Sequence, residues 1–119
     1  MELTTELSFK ARHAVKVDGK REEPHWHEFK IRVTVEGDLK ENGFVVDFVK
    51  LREVIRKLII CELEGGNLNE IFDQPSVELI GVWIFRKLKE EVEKLGCTLS
   101  SVSVFERETD WITVRESDI

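Results

Sequence analysis

At 119 residues the chain can bury one hydrophobic core and is too short for two, so residues 1–119 are read as a single domain. Its 41% hydrophobic content supports a folded globule, whereas 24 acidic against 18 basic residues, a net charge of −6, exclude a general nucleic-acid surface and leave room only for a local basic pocket. No apolar run reaches the ~20 residues of a membrane span, and the opening MELTTELSF lacks the basic-then-apolar order of a signal peptide, so a cytoplasmic protein without a membrane partner is expected.

The first segment alternates, with Leu3, Thr5, Leu7, Phe9, Ala11 and His13 on one parity and charged or small polar residues on the other. That is the pattern of a half-buried strand. After a polar stretch from Lys16 to Pro24, His25, His27, Phe29, Ile31, Val33 and Val35 alternate in the same way, and the two strands are expected to form a long hairpin. Asp47 is a good N-cap for a helix over 48–62, where Phe48, Leu51, Val54, Ile55, Leu58 and Ile59 recur at helical spacing. Pro75 opens a second helix with the apolar stripe Ile80, Ile84, Leu88, Val92 and Leu95, and Gly96 ends it. Two extended segments, Leu99 to Glu106 and Trp111 to Val114, follow around a polar turn. The order ββααββ predicts an α+β fold, with both helices on one face of an antiparallel sheet.

Cys61 and Cys97 form no short-spaced metal motif and are read as reduced packing residues. High Lys and Glu content beside a single Gln, Gln74, hints at a thermophilic source.

All three histidines sit at the mouth of the predicted hairpin. His25 and His27, two residues apart on a strand, project from one face, and His13 shares their inward parity. An isolated histidine on an apolar face is ordinarily a core residue satisfied by one hydrogen bond. Three uncompensated imidazoles would be costly to bury together, whereas three neutral ligands with a fourth position open suit a catalytic zinc ion.

Several carboxylates are candidates for the remaining chemistry. Glu106 continues the parity of Val102 and Val104. It is either an ion-pair partner, a solvated residue beyond a shift in strand phase, or a ligand anchor that accepts two parallel N–H bonds from a pterin or guanine edge. Glu78 lies in the first turn of the second helix, where the helix dipole alone explains a negative charge. Glu22 and Glu23 precede Pro24 and His25 and are solvated loop residues by default, yet either is near enough to the proposed metal to carry a proton. Trp26 points away from the paired histidines and is read as packing or subunit contact.

The segments FKARH (9–13), HWHEF (25–29), GFVVDFVKL (43–51), Leu68-Asn69, PSVE (75–78) and VSVFE (102–106) together resemble the 6-pyruvoyl-tetrahydropterin synthases and their relatives, the 6-carboxy-tetrahydropterin synthases of the queuosine pathway. The match runs from about residue 7 to 114. The resemblance implies a tunnelling fold whose subunits join into a β-barrel, a homo-oligomer of trimer or hexamer type, with active sites at subunit interfaces. It also implies zinc on His13, His25 and His27, a pterin ring held by Glu106, and Glu78 at the pterin-binding edge. Zinc in that family orients the side-chain hydroxyls of dihydroneopterin triphosphate.

The departures bear on the reaction. The usual catalytic cysteine before the paired histidines is replaced by Lys20-Arg-Glu-Glu-Pro24, and the usual Asp-His pair before Leu68-Asn69 appears as Glu64-Gly65. Trp26 stands for a glycine and Arg107 for a threonine. A family variant carries a glutamate three residues before the first paired histidine and cleaves the side chain to 6-hydroxymethyl-dihydropterin, a folate-type precursor. Glu22 has that spacing. The expectation is therefore a zinc-dependent lyase acting on the side chain of a dihydroneopterin triphosphate type of substrate to give 6-hydroxymethyl-dihydropterin or 6-pyruvoyl-tetrahydropterin, using Glu22, with Glu23 as substitute and Glu64 as a candidate relay. The alternatives are a catalytically impaired pterin- or purine-binding oligomer, and a zinc that only braces the sheet.

Overall fold

The computed structural model describes residues 1–119. Strands β1 (Glu2–His13), β4 (His25–Glu36), β5 (Thr98–Arg107) and β6 (Asp110–Val114) form one antiparallel sheet in the order β1-β4-β5-β6. The polar loop after β1 holds a small hairpin of β2 (Lys16–Val17) and β3 (Lys20–Arg21). The sequence reading leaves that loop irregular, although Asp18-Gly19 is a two-residue hairpin signal. Both residues take positive φ, 52° and 78°, as a turn matching strand twist requires.

The first helical run begins where Asp47 accepts a hydrogen bond from the Val49 amide at 2.9 Å. It comprises α1 (Phe48–Ile55), a π turn (Arg56–Ile60) and α2 (Cys61–Leu63), so the expected uninterrupted helix over 48–62 is corrected in its middle. The cause lies in the spacing. Leu51, Ile55, Ile59 and Leu63 are all fully buried at intervals of four. On a 3.6-residue helix such a row drifts by about 40° per step. The wider π turn takes up that drift and keeps Ile59 and Leu63 on the core side. The third helix, α3 (Val77–Glu93), is capped by Ser76, whose hydroxyl accepts from the Leu79 amide, and the chain leaves it through Gly96 at φ 86°.

The helices cover one sheet face. Phe9, Phe29, Ile31, Val33, Val102 and Val104 from the strands meet Leu51, Ile55, Ile80, Ile84 and Leu88 from the helices in one continuous core. No helix is long and apolar enough to cross a membrane.

The β1 edge beyond Ser8 is closed by the segment between α2 and α3. The Glu64 carboxylate and the Gly66 carbonyl accept the Lys10 and Arg12 amides, and Gly65 donates to the Lys10 carbonyl. Asn69 and Gln74 each make a two-way amide contact, with the backbones of Ala14 and Lys16 respectively. This pairing fixes Pro75 against the end of β1.

Gly81 marks the closest approach of α3 to the sheet: a Cβ there would lie 2.9 Å from both Ile112 Cδ1 and Val114 Cγ2. Gly81→Val is expected to destabilise the fold by about 1–3 kcal/mol through overpacking. Urea denaturation should show a lower midpoint at unchanged slope.

Candidate metal centre

The register of β1 against β4 sets His13 directly opposite His25 and Ala11 opposite His27, so three rings meet at the open end of the hairpin. Their centroids lie 4.5–5.3 Å apart, with interplanar angles of 70–81°. His13 is buried, and His25 and His27 are partly exposed.

Two backbone carbonyls decide the ring tautomers. His13 Nδ1 lies 3.0 Å from the Pro75 carbonyl, and His25 Nδ1 lies 3.1 Å from the Glu23 carbonyl. A carbonyl can only accept, so in each ring Nδ1 carries a hydrogen and donates it, and in the neutral, metal-binding form of the ring Nε2 presents a lone pair. The two Nε2 atoms face each other at 3.1 Å. Lone pairs held that close repel unless a cation lies between them. Two nitrogens each about 2.0–2.1 Å from a tetrahedral metal stand about 3.3 Å apart, so the pair fits an ion. His27 takes its proton at lower pH than usual, because burial, and then the neighbouring His25, disfavour its charged form against an opposing pull from Glu106. A neutral imidazole is the form that ligates.

Glu106 is the fourth member. Its Oε1 lies 3.4 Å from His13 Nε2 and 3.7 Å from His27 Nε2, and one donor atom from each of the four residues falls within 4.8 Å of the others. Glu106 lies on the histidine face, as its shared parity with Val102 and Val104 predicts. Its approach to the imidazoles was not legible, because it depends on a register shift between Phe105 and Arg107.

The other carboxylates are dispersed. Glu22 Oε1 accepts from the Val15 amide at 3.1 Å and lies 3.8 Å from His25 Nδ1, on the ring edge away from the Nε2 cluster. Glu23 is exposed and contributes its carbonyl. Glu64 is held on the Lys10 amide, three residues up the strand from His13 and outside the four-residue group. Glu78 is exposed in the first turn of α3 and is likewise outside it. Neither cysteine joins the cluster: Cys97 is buried, its thiol donating to the Val92 carbonyl, and Cys61 is exposed on α2. Trp26 is exposed, paired with Arg12 on the opposite parity. The carbonyl of Pro75 was missed, since a backbone acceptor leaves no mark in side-chain patterns.

The family model for 6-pyruvoyl tetrahydropterin synthase matches residues 2–117. The chain belongs to that family. Dihydroneopterin monophosphate aldolase of Pyrococcus furiosus is 42% identical over 85 residues, covering 71% of this chain and 72% of its own. A putative 6-carboxy-5,6,7,8-tetrahydropterin synthase of Archaeoglobus fulgidus is 33% identical over 108 residues, 91% of this chain and 90% of its own. The solved 6-pyruvoyl tetrahydropterin synthase of Caenorhabditis elegans has a TM-score of 0.83 at 20% identity, over 97% of this chain and 94% of that one. The fold is thus the α+β tunnelling fold of the 6-pyruvoyl tetrahydropterin synthase family.

The pH dependence follows from His27. Its unfolded form titrates near the ordinary 6.5 and its folded form lower, so the unfolded state binds more protons as pH falls below 6.5. Metal-free protein is expected to lose stability as pH falls through the ordinary histidine value of 6.5, and His27→Gln should flatten that loss in urea melts.

Proposed function

We propose that this chain is a zinc-dependent lyase that cleaves the side chain of a dihydroneopterin phosphate and releases 6-hydroxymethyl-dihydropterin. The observation that carries this reading is the convergence of three imidazoles and Glu106 at a centre with carboxylates but no thiol. A cysteine-based reaction has no nucleophile or base here. The aldolase from Pyrococcus furiosus, with 42% identity, supports carbon–carbon cleavage and favours a monophosphate over the triphosphate that the family resemblance first suggests.

Bond cleavage requires a proton to leave the side-chain C2′ hydroxyl as the C1′–C2′ bond breaks. The bonding pair passes into the C6=N5 unit of the ring, an aldehyde fragment departs with the phosphate, and C1′ is reprotonated. Zinc on His13, His25 and His27 would supply Lewis-acid polarisation of the side-chain oxygens. Glu106 accepts the ring's amino and amide hydrogens and thereby sets its orientation. Glu22 is the proposed proton carrier, beside His25 and held on the Val15 amide by one hydrogen bond, a restraint of about 1 kcal/mol. Glu23 orients His25 through its carbonyl. Glu64 and Glu78 take no part in the proton transfer proposed here.

A second reading, ligand binding without turnover, is favoured by one feature: the Glu22 carboxylate is turned to the Nδ1 side of His25. Incubation of zinc-loaded protein with dihydroneopterin monophosphate and triphosphate separates the two. Release of 6-hydroxymethyl-dihydropterin is expected, and Glu22→Gln should lower kcat by about 100-fold or more while zinc and pterin still bind. Binding without product would establish the second reading, and unchanged turnover in the variant would remove Glu22 from the mechanism.

The working form is proposed to be a homo-oligomer. The sheet ends in β6 on one side and in the uncovered first part of β1 on the other, and such edges call for a partner strand. The mass in solution is expected to be three or six times 13.9 kDa, as measured by light scattering. A 13.9 kDa monomer would refute the assembly.

A further inference from the structure

We infer that Glu106 is an exchangeable fourth ligand of the metal: it closes the coordination shell of the resting protein and leaves the ion to hold the pterin ring when substrate binds. The inference rests on the zinc and pterin of the proposed function and adds a coupling between them.

The resting position of the carboxylate is the first ground. Glu106 Oε1 is an acceptor 3.4 Å from His13 Nε2, which in the neutral ring is itself a lone-pair acceptor, its one hydrogen being the Nδ1 hydrogen donated to the Pro75 carbonyl. It lies 3.7 Å from His27 Nε2, too far for a hydrogen bond. No lysine or arginine lies within ion-pair distance of Glu106; its partners are the histidines alone. An anion aimed at nitrogen lone pairs needs a cation among them, either a proton on one ring or a metal ion shared by all, and only the metal ion satisfies every member of the group at once. The separations of 3.1 Å between His13 and His25, and 3.4 and 3.7 Å from Glu106, lie near the edge length of about 3.3 Å for a tetrahedron of nitrogen and oxygen ligands around zinc.

The ability to leave is the second ground. Hydrogen-bonded pairing of β5 with β4 stops at Phe105 opposite Lys30, and the register with β6 slips between Phe105 and Arg107. Glu106 therefore sits on a bulge at the end of the ladder, a device that re-aims a side chain. Its side chain is 37% exposed, against 1% for His13, so the carboxylate can meet a ligand arriving from solvent while His13 stays fixed on the Pro75 carbonyl. The 2-amino and N3–H donors of a pterin form the two-point contact that a carboxylate accepts best. Ring recognition then vacates the fourth position only when a pterin is present, and keeps stray anions off the metal at other times.

Cobalt(II), a spectroscopic substitute for zinc, tests both halves. Glu106→Gln is expected to alter the d–d absorption of the cobalt protein and to weaken zinc binding by about tenfold or more. Pterin itself, which has the ring but no side-chain hydroxyls, is expected to shift the wild-type cobalt spectrum in the same direction as the substitution and to leave the variant's spectrum unmoved. The wild-type titration needs no variant, so a poorly folding Glu106→Gln would not shelter the idea. An unchanged spectrum and zinc affinity in a folded variant would overturn the fourth ligand. Pterin that binds without moving the wild-type spectrum would overturn the exchange. Failure of pterin to bind at all would instead count against the proposed function, while the cobalt and zinc data on Glu106→Gln would still decide the ligand.

Discussion

The antiparallel register of β1 against β4 is the constraint on which the site depends. Residues whose numbers sum to 38 lie opposite one another along twelve pairs, from Glu2 with Glu36 to His13 with His25. A slip by one residue would turn every apolar side chain of one strand out of the core, so burial of Phe9, Phe29, Ile31 and Val33 locks the pairing. The histidines lie at the far end of that ladder. Their meeting is thus enforced by hydrophobic packing that runs down the ladder to Phe29, whose ring lies against His13 and His27, and the candidate metal centre inherits its geometry from the core.

Backbone carbonyls then give the centre its chemistry. Pro75 and Glu23 each take an Nδ1 hydrogen and so turn an Nε2 lone pair toward the same point. Pro75 is itself held in place because Asn69 and Gln74 pair with the backbone of Ala14 and Lys16. The segment between the helices therefore does two things: it covers an exposed sheet edge, and it orients the buried histidine. Loss of edge coverage would free His13 to rotate even though no ligand had changed.

The carboxylates show how one residue type is divided among roles by position. Glu64 satisfies an edge amide, Glu22 braces the loop beside His25, Glu78 faces solvent at a helix start, and only Glu106 reaches the imidazoles. Neighbouring residues along the chain can have nothing in common chemically: Glu22 offers its side chain and Glu23 its carbonyl to the same ring. With no thiol in the four-residue group, the chemistry of the candidate centre falls to oxygen and nitrogen groups.

Much of this was legible in the sequence because it depends on period and parity. Alternation identified both long strands and placed His13, His25 and His27 on the core face; Asp47 marked a helix start where the structure has it, whereas α3 ends at Glu93, short of Gly96. What the sequence left open turns on small offsets between distant segments. The π turn in the first helical run, the Asp18-Gly19 hairpin and the bulge at Glu106 each shift side chains by about a residue, within the tolerance of pattern reading. The sequence alone therefore determined which residues face inward, since a strand or helix fixes that locally. The tertiary structure decided which inward groups touch, because hydrogen bonds such as His13 to Pro75 join residues 62 apart, and no local pattern encodes that distance.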